Sequence, residues 1–205
     1  MTDTKSHWDT VYENNDPLKV SWYQEEPKTS LELIAHTGAD KDAGIIDVGG
    51  GASAMVDRLL ERGHENVAVL DISEKALACA RARLGDKAGK VEWLTADVTR
   101  FQPAHVYEIW HDRAVLHFLT NYQDRMSYID VLKRSLSATG HVIIGAFAIG
   151  GPERCSNLPV VQYDADKIQR LLGEAFRLEE QRQETHVTPG GKEQEFAFFR
   201  FQRQS

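Results

Sequence analysis

Only two cysteines, Cys79 and Cys155, stand far apart among 205 residues, and they form no C-x-x-C pair. Neither a zinc site nor a disulfide framework is therefore expected, and a reducing cytoplasm is the default compartment. No apolar run is long enough to span a bilayer, and the opening M-T-D-T-K-S-H-W lacks the apolar core of a signal peptide. No membrane association is expected on those grounds. Runs of Lys and Arg are missing too. With 24 basic residues against 31 acidic ones the net charge is −7, which argues against a nucleic-acid partner. Internal repeats and low-complexity segments are absent.

What is present is the composition of a soluble globular protein, 41% hydrophobic and 27% charged. The length suits one domain, 1–205, with a full three-layer core. The stretch that organises it is G-I-I-D-V-G-G-G-A-S-A, from Gly44 to Ala54. Ile45, Ile46 and Val48 make a short β-branched run of the kind buried on both faces of a sheet. Gly49, Gly50 and Gly51 follow at once, and Ser53 is placed to cap a helix over 54–62. Strand, glycine turn and helix N-terminus together let a ligand approach the backbone closely. Gly49, Gly51 and Ala54 also fit G-x-G-x-x-A, so a dinucleotide is one possible occupant, and an ordinary tight turn without ligand is another. Asp47, two residues before the first glycine, tips the balance.

D-x-G-x-G after an apolar strand resembles the first motif of the class I S-adenosylmethionine-dependent methyltransferases. The resemblance implies that Gly49, Gly50 and Gly51 pass under the methionine part of the cofactor while Asp47 fixes the loop and the cofactor's amino end. A second buried strand, V-A-V-L-D, ends at Asp71, 24 residues after Asp47, and a helix follows over 73–84. A carboxylate there can accept two hydrogen bonds from ribose hydroxyls; Asp71 and Glu74 also form a capping box, and both roles can hold together. A third strand over 91–94 leads to Asp97. In the family an acid at this point accepts the adenine amino group, with apolar neighbours, here Val98 and Ile72, against the ring. A fourth strand over 106–110 is followed by H-D-R-A-V-L-H-F-L, which corresponds to the family's active-site motif, where backbone carbonyls hold the methionine amine and side chains face the acceptor; the resemblance implies Asp112 at the cofactor.

The rest of the chain keeps the alternation. Helical spacing covers 122–136, and a Thr139-Gly140 turn leads into the fifth strand, H-V-I-I-G-A-F-A. Asp164 caps a helix carrying Ile168, Leu171, Leu172 and Phe176. Two last strands, 177–187 and 195–202, form an antiparallel pair across T-P-G-G-K. The expected fold is α/β, doubly wound, a mostly parallel seven-stranded sheet with an antiparallel last strand. Upstream, 7–13 reads as a short amphipathic helix with Trp8, Val11 and Tyr12. Thr29 with Glu32 makes a capping box for a helix over 30–37 that buries Leu31, Leu33 and Ile34. The segment 1–40 is expected to be a helical lid over a 41–205 catalytic core. Its aromatics, including Trp22, either cap the core or cover a cationic cofactor, because a sulfonium is attracted to ring faces.

Several stretches are similar to a narrower group, the thiopurine and halide/thiol S-methyltransferases: H-W-D and S-W-Y-Q-E-E-P near the start, I-W-H-D-R-A-V-L, and G-G-P-E-R-C-S-N-L-P-V. His111 is extra relative to that group, Glu153 replaces a proline, and Arg154 adds a cation. The resemblance implies a small thiol as acceptor, with S-adenosyl-L-methionine as cofactor and S-adenosyl-L-homocysteine as product. Arg113 would stabilise the thiolate, or else pair with Asp112. His117 would act as a base or a polar wall, or be a packed histidine, and His111 would end the strand. Tyr23 and Arg154 would contact the acceptor, and Cys155 reads as a small loop residue. W-D and S-W-Y also resemble small lysine methyltransferases, and a non-catalytic cofactor-binding module is the third alternative.

Overall fold

The computed structural model describes residues 4–204. Residues 1–3 of the expected lid, and Ser205, lie outside the described residues. Strand β1 (Ile45–Val48) is buried at every position, as its unbroken apolar pattern requires of a central strand. It is flanked by β2 (Val67–Asp71) and β4 (Tyr107–Arg113), both parallel to it. Beyond them lie β3 (Val91–Thr95) and β5 (Leu136–Phe147). The hairpin of β8 (Phe176–Val187) and β9 (Glu193–Arg203) completes one seven-stranded sheet, in the order β3-β2-β1-β4-β5-β9-β8. Only β9 runs against its neighbours, pairing antiparallel with both β5 and β8. The expected fold class is what the structure has.

Helices cover both faces. On one, α2 (Lys28–Ala35), α3 (Met55–Glu61) and α4 (Glu74–Leu84) bury Leu31, Leu33, Met55, Leu59 and Leu77 against Ile109, Ile143, Phe196 and Phe198. On the other, α5 (Tyr122–Ser135) and α6 (Ala165–Leu172) bury Tyr128, Leu132, Ile168 and Leu172 against Trp110, Val142, Ile144 and Phe199. The N-terminal helix α1 (Thr4–Asn14) has no buried residue and docks on α4. There Asp9 Oδ1 accepts from the Ser73 hydroxyl at 2.7 Å. Among the described residues no helix is long and apolar enough to cross a membrane.

The order places a topological switch between β1 and β4: the chain winds outward to β3 and then returns to the far side of β1. In open α/β sheets the crevice outside the strand ends at that point is where ligands bind.

Several local expectations are corrected. α2 starts at Lys28 after Pro27, with no side-chain cap, so Thr29 lies inside the helix and its capping box with Glu32 does not form. Ser73, not Asp71, caps α4 and accepts from the Ala76 N–H. The cap position of α3 is Ala54, and Ser53 Oγ accepts instead from the Met55 N–H at 3.1 Å. β4 continues three residues past Trp110, so His111, Asp112 and Arg113 are strand residues. Thr139 and Gly140 lie inside β5 rather than in a turn.

Candidate active site

The glycine turn sits at the switch point. Gly49 and Gly51 have φ of +67° and +43°, the left-handed region that suits glycine. Gly50 is needed for another reason, since a Cβ there would run into the Asp47 carboxylate and come within 2.8 Å of Val69 Cγ1. Asp47 is 3% exposed, and its Oδ1 lies 2.7 Å from His111 Nδ1.

Two cavities meet above this turn. The larger holds about 860 Å³ of space, part of it open to solvent. It runs from Asp71, Ile72, Asp97 and Val98 at the ends of β2 and β3 to Arg113, Phe118 and Cys155. The smaller, about 560 Å³, lies over Gly49 and Gly50 and is walled by Asp47, Ser30, His111, Trp22 and Tyr23. Gly49, Trp22, Tyr12 and Arg113 line both.

The strand-end acids are half-satisfied. Asp71 Oδ1 accepts from the Ser73 N–H at 2.8 Å, and burial pushes its carboxyl up to about 7, with Asp47 and Asp9 adding repulsion. Asp97 Oδ1 accepts from the Thr99 N–H and hydroxyl at 2.9 and 2.7 Å. Each acid thus spends one oxygen on its own turn while its residue lines the cavity. Aromatic rings close the roof. Trp8 meets Trp22 and Phe118 edge-on, at 5.7 and 5.1 Å between centroids. The Trp22 indole N–H donates to the Tyr12 hydroxyl at 3.3 Å.

Arg113 ends β4 beneath that roof. Its Nη1 donates to the Trp22 carbonyl at 3.0 Å, and its guanidinium lies 4.6 Å from the centre of the Phe196 ring. Nε and Nη2 are buried with no hydrogen-bond partner, and among the described residues no carboxylate makes a salt bridge with it. Burial lowers Arg113 to about 10, so it remains a cation at neutral pH. The alternative of a pair with Asp112 is not formed. Asp112 points to the other face of the sheet, where Oδ2 accepts from the Tyr128 hydroxyl at 2.7 Å and from the Leu116 N–H at 3.0 Å. Its Oδ1 accepts from the Val115 N–H at 2.8 Å. It is fully buried and lines neither cavity. The Asp112 carboxylate therefore shapes the loop after β4.

Other expected positions also move. Arg154 is exposed, outside both cavities, with its guanidinium on the Asn157 carbonyl. Tyr23 is on the wall of the smaller cavity and not of the larger. His117 is fully buried, lines neither cavity, and packs at 4.4 and 4.9 Å between ring centroids against Phe118 and Phe147. Neither ring nitrogen has a partner; burial, and then the nearby Arg113 charge, lower it to about 3. A ring so placed cannot reach an acceptor or hold a proton near neutral pH, so the expected base is withdrawn.

Replacing His117 with Phe should therefore leave turnover within about twofold. A histidine kept neutral in the fold stabilises it above its ordinary pKa of 6.5, and that stability is lost as pH falls below it. His117 alone should cost roughly 2 kcal/mol between pH 6.5 and 5, at about 1.4 kcal/mol per unit. Denaturant unfolding at the two pH values should show that loss shrinking by this amount in His117→Phe. A folded variant with background turnover would restore the base.

Sequence reasoning missed Cys155 and Phe118 as walls. Cys155 is brought in by a small hairpin of β6 (Arg154–Cys155) and β7 (Leu158–Pro159). Its turn residues Ser156 and Asn157 have φ of +47° and +62°. An Asn in such a turn is a legible signal.

Residues 45–140 match a family described as a methyltransferase domain. The eEF1A lysine and N-terminal methyltransferase of Mus musculus is 22% identical over 155 residues, 74% of this chain. The Bos taurus protein of the same name is 21% identical over the same length. The chain spans about a fifth of those relatives, 21% of each. Among solved structures, one described under the conversion of a disulfide bond into a thioacetal group in echinomycin biosynthesis superposes with a TM-score of 0.79. It is 16% identical, with 98% of this chain and 92% of that one covered. The N-methyltransferase NodS of Bradyrhizobium japonicum WM9, in complex with S-adenosyl-L-homocysteine, superposes at 0.75 with 17% identity, covering 98% and 99%. At such identities the likeness is one of fold.

Proposed function

We infer that the chain, a methyltransferase by its matching domain and of the class I type by its sheet, transfers a methyl group from S-adenosylmethionine to a small anionic acceptor, most simply a thiolate. When bound, the cofactor would supply an electrophilic methyl group on a sulfonium, open to in-line attack by the acceptor with S-adenosylhomocysteine as the leaving group. This chain's residues bind and orient. Asp71 would accept from the ribose hydroxyls, Asp97 from the adenine amine, and Ile72 and Val98 would pack against the base. Gly49, Gly50 and Gly51 would hold the methionine end, with Asp47 for its amine and Trp22 for the sulfonium. The segment carrying Trp8, Tyr12 and Trp22 acts as a lid that excludes water.

One observation carries the acceptor class: Arg113 lines both cavities, and Nε and Nη2 of its guanidinium are buried without a hydrogen-bond partner. A cation in that state is costly unless an anion completes it. The acids that line the cavities, Asp47, Asp71 and Asp97, stand at the ends of β1, β2 and β3 or just beyond. A lysine amine beside Arg113 would be repelled by a cation that makes no salt bridge among the described residues. The likeness to a lysine methyltransferase keeps protein lysine as a second reading.

Asp71→Ala and Asp97→Ala should each weaken S-adenosylmethionine binding about tenfold or more, the value of one hydrogen bond to a charged group. Only ionised Asp71 accepts fully, so wild-type affinity should also fall as pH drops through about 7, by at most about tenfold per unit. Calorimetry on folded variants checks both; unchanged affinity in each would remove the strand-end acids from the site.

A further inference from the structure

Ser30, His111 and Asp47 form a line of hydrogen bonds that neither methyl transfer nor packing requires. Ser30 comes from α2, His111 from β4 and Asp47 from β1, and they are 1%, 2% and 3% exposed. His111 Nε2 lies 2.9 Å from Ser30 Oγ, and Nδ1 lies 2.7 Å from Asp47 Oδ1. β1 and β4 pair so that Asp47 stands opposite His111, which puts both side chains on the face covered by α2. All three residues wall the smaller cavity.

A carboxylate only accepts, so Nδ1 is the donor to Asp47. In a neutral ring Nε2 then accepts from the Ser30 hydroxyl, since the hydrogen bond at one ring nitrogen sets the role of the other. The residue types are those of a hydrolytic triad. Ser30, however, lies inside a helix with almost no exposure and its hydroxyl is turned to the histidine, so the line holds rather than attacks. What it holds is Asp47. With Oδ1 fixed by His111, the other oxygen is directed at Gly50, where a Cβ would collide with it. A carboxylate on a short side chain has two χ angles to lose, and the histidine removes that freedom before any ligand arrives.

We propose that His111, its tautomer set by Asp47 and its ring steadied by Ser30, is a positioning residue that aims the Asp47 carboxylate at the cationic amine of the ligand in the smaller cavity. Identifying that ligand as the methyl donor rests on the proposed function. His111 touches no reacting atom and works through Asp47 alone.

The test uses the whole chain and S-adenosylhomocysteine as the probe. His111→Leu should weaken binding about tenfold or more, as expected for loss of a hydrogen bond to a charged group. In His111→Asn the amide nitrogen can replace Nδ1, and binding should stay within about threefold of wild type. In an Asp47→Asn background His111→Leu should add less than about twofold, because residues acting through one contact are not additive. Imidazole nitrogen NMR of the ligand-free protein should show an Nδ1–H ring, and Asp47→Ala should release that single tautomer. Equal affinity in the Leu and Asn variants, additive losses, or an Nε2–H ring in the wild type would each overturn the role. Should His111→Leu fail to fold, the Asn variant and the tautomer still decide. A wild-type protein that takes up no S-adenosylhomocysteine overturns the methyl-donor reading itself. Wild-type binding with no effect of His111 overturns only the positioning.

Discussion

In Gly50→Ala, S-adenosylmethionine binding is expected to fall at least about a hundredfold, with a loss of stability of about 1–3 kcal/mol. Gly50 does not occupy the left-handed region, so alanine meets no backbone penalty there. The difficulty is spatial. The new methyl would overlap the Asp47 carboxylate and lie 2.8 Å from Val69 Cγ1, and both neighbours stand on central strands that cannot yield. Asp47 can escape only by rotating away from His111, which spoils the carboxylate's aim and narrows the smaller cavity together. Gly89→Ala is the control, because nothing lies within 4 Å of a Cβ there and it lines neither cavity. Calorimetric titration of both variants reads the difference. Wild-type affinity in a folded Gly50→Ala would mean that the ligand does not use this turn.

Arg113→Ala should lower the rate of acceptor methylation about a hundredfold, the scale of losing one donor to a developing or resident anion in a dry site. A free thiol has a pKa of about 8.5, and an adjacent cation favours its thiolate near neutral pH. Removing that cation should raise the acceptor's apparent pKa and move the rise of the pH–rate profile toward alkaline values. In the wild type, Arg113 itself loses its proton near 10, so activity should decline again there. Cofactor affinity should fall by less than about tenfold, from loss of the Nη1 bond to the Trp22 carbonyl. Arg113→Lys should recover part of the rate, since a point charge cannot fill a planar fork. A purely structural arginine would instead lower the melting temperature and leave the pH profile of the surviving activity unmoved.

Much of the fold was legible because its signals are local. The β-branched run before three glycines, and the acids at 71 and 97 at successive strand ends, lie in short stretches whose structure follows from their own residues. What was not legible depends on distant pairing. β4 runs to Arg113 because Asp112 pairs with Val48 of β1 and Arg113 with Gly145 of β5. Nothing in H-D-R announces that extension. It turns His111 and Arg113 toward α2 and the roof, and Asp112 toward Tyr128, a division that sets their roles. The capping signal of Thr29 and Glu32 failed because α2 begins at Lys28, immediately after Pro27. His117 looked chemical from its spacing after Arg113, yet the 3-10 turn at Leu116–Phe118 carries it into the aromatic core.

The most direct measurement gives the purified protein S-adenosylmethionine with a labelled methyl group and a panel of acceptors: sulfide, methanethiol, aromatic thiols, halide and a lysine-rich protein extract. Mass spectrometry then follows the label. The expected result is label in the small thioethers, at a rate that drops about a hundredfold in Arg113→Ala. Label found on protein lysine and on no small thiol would contradict the account.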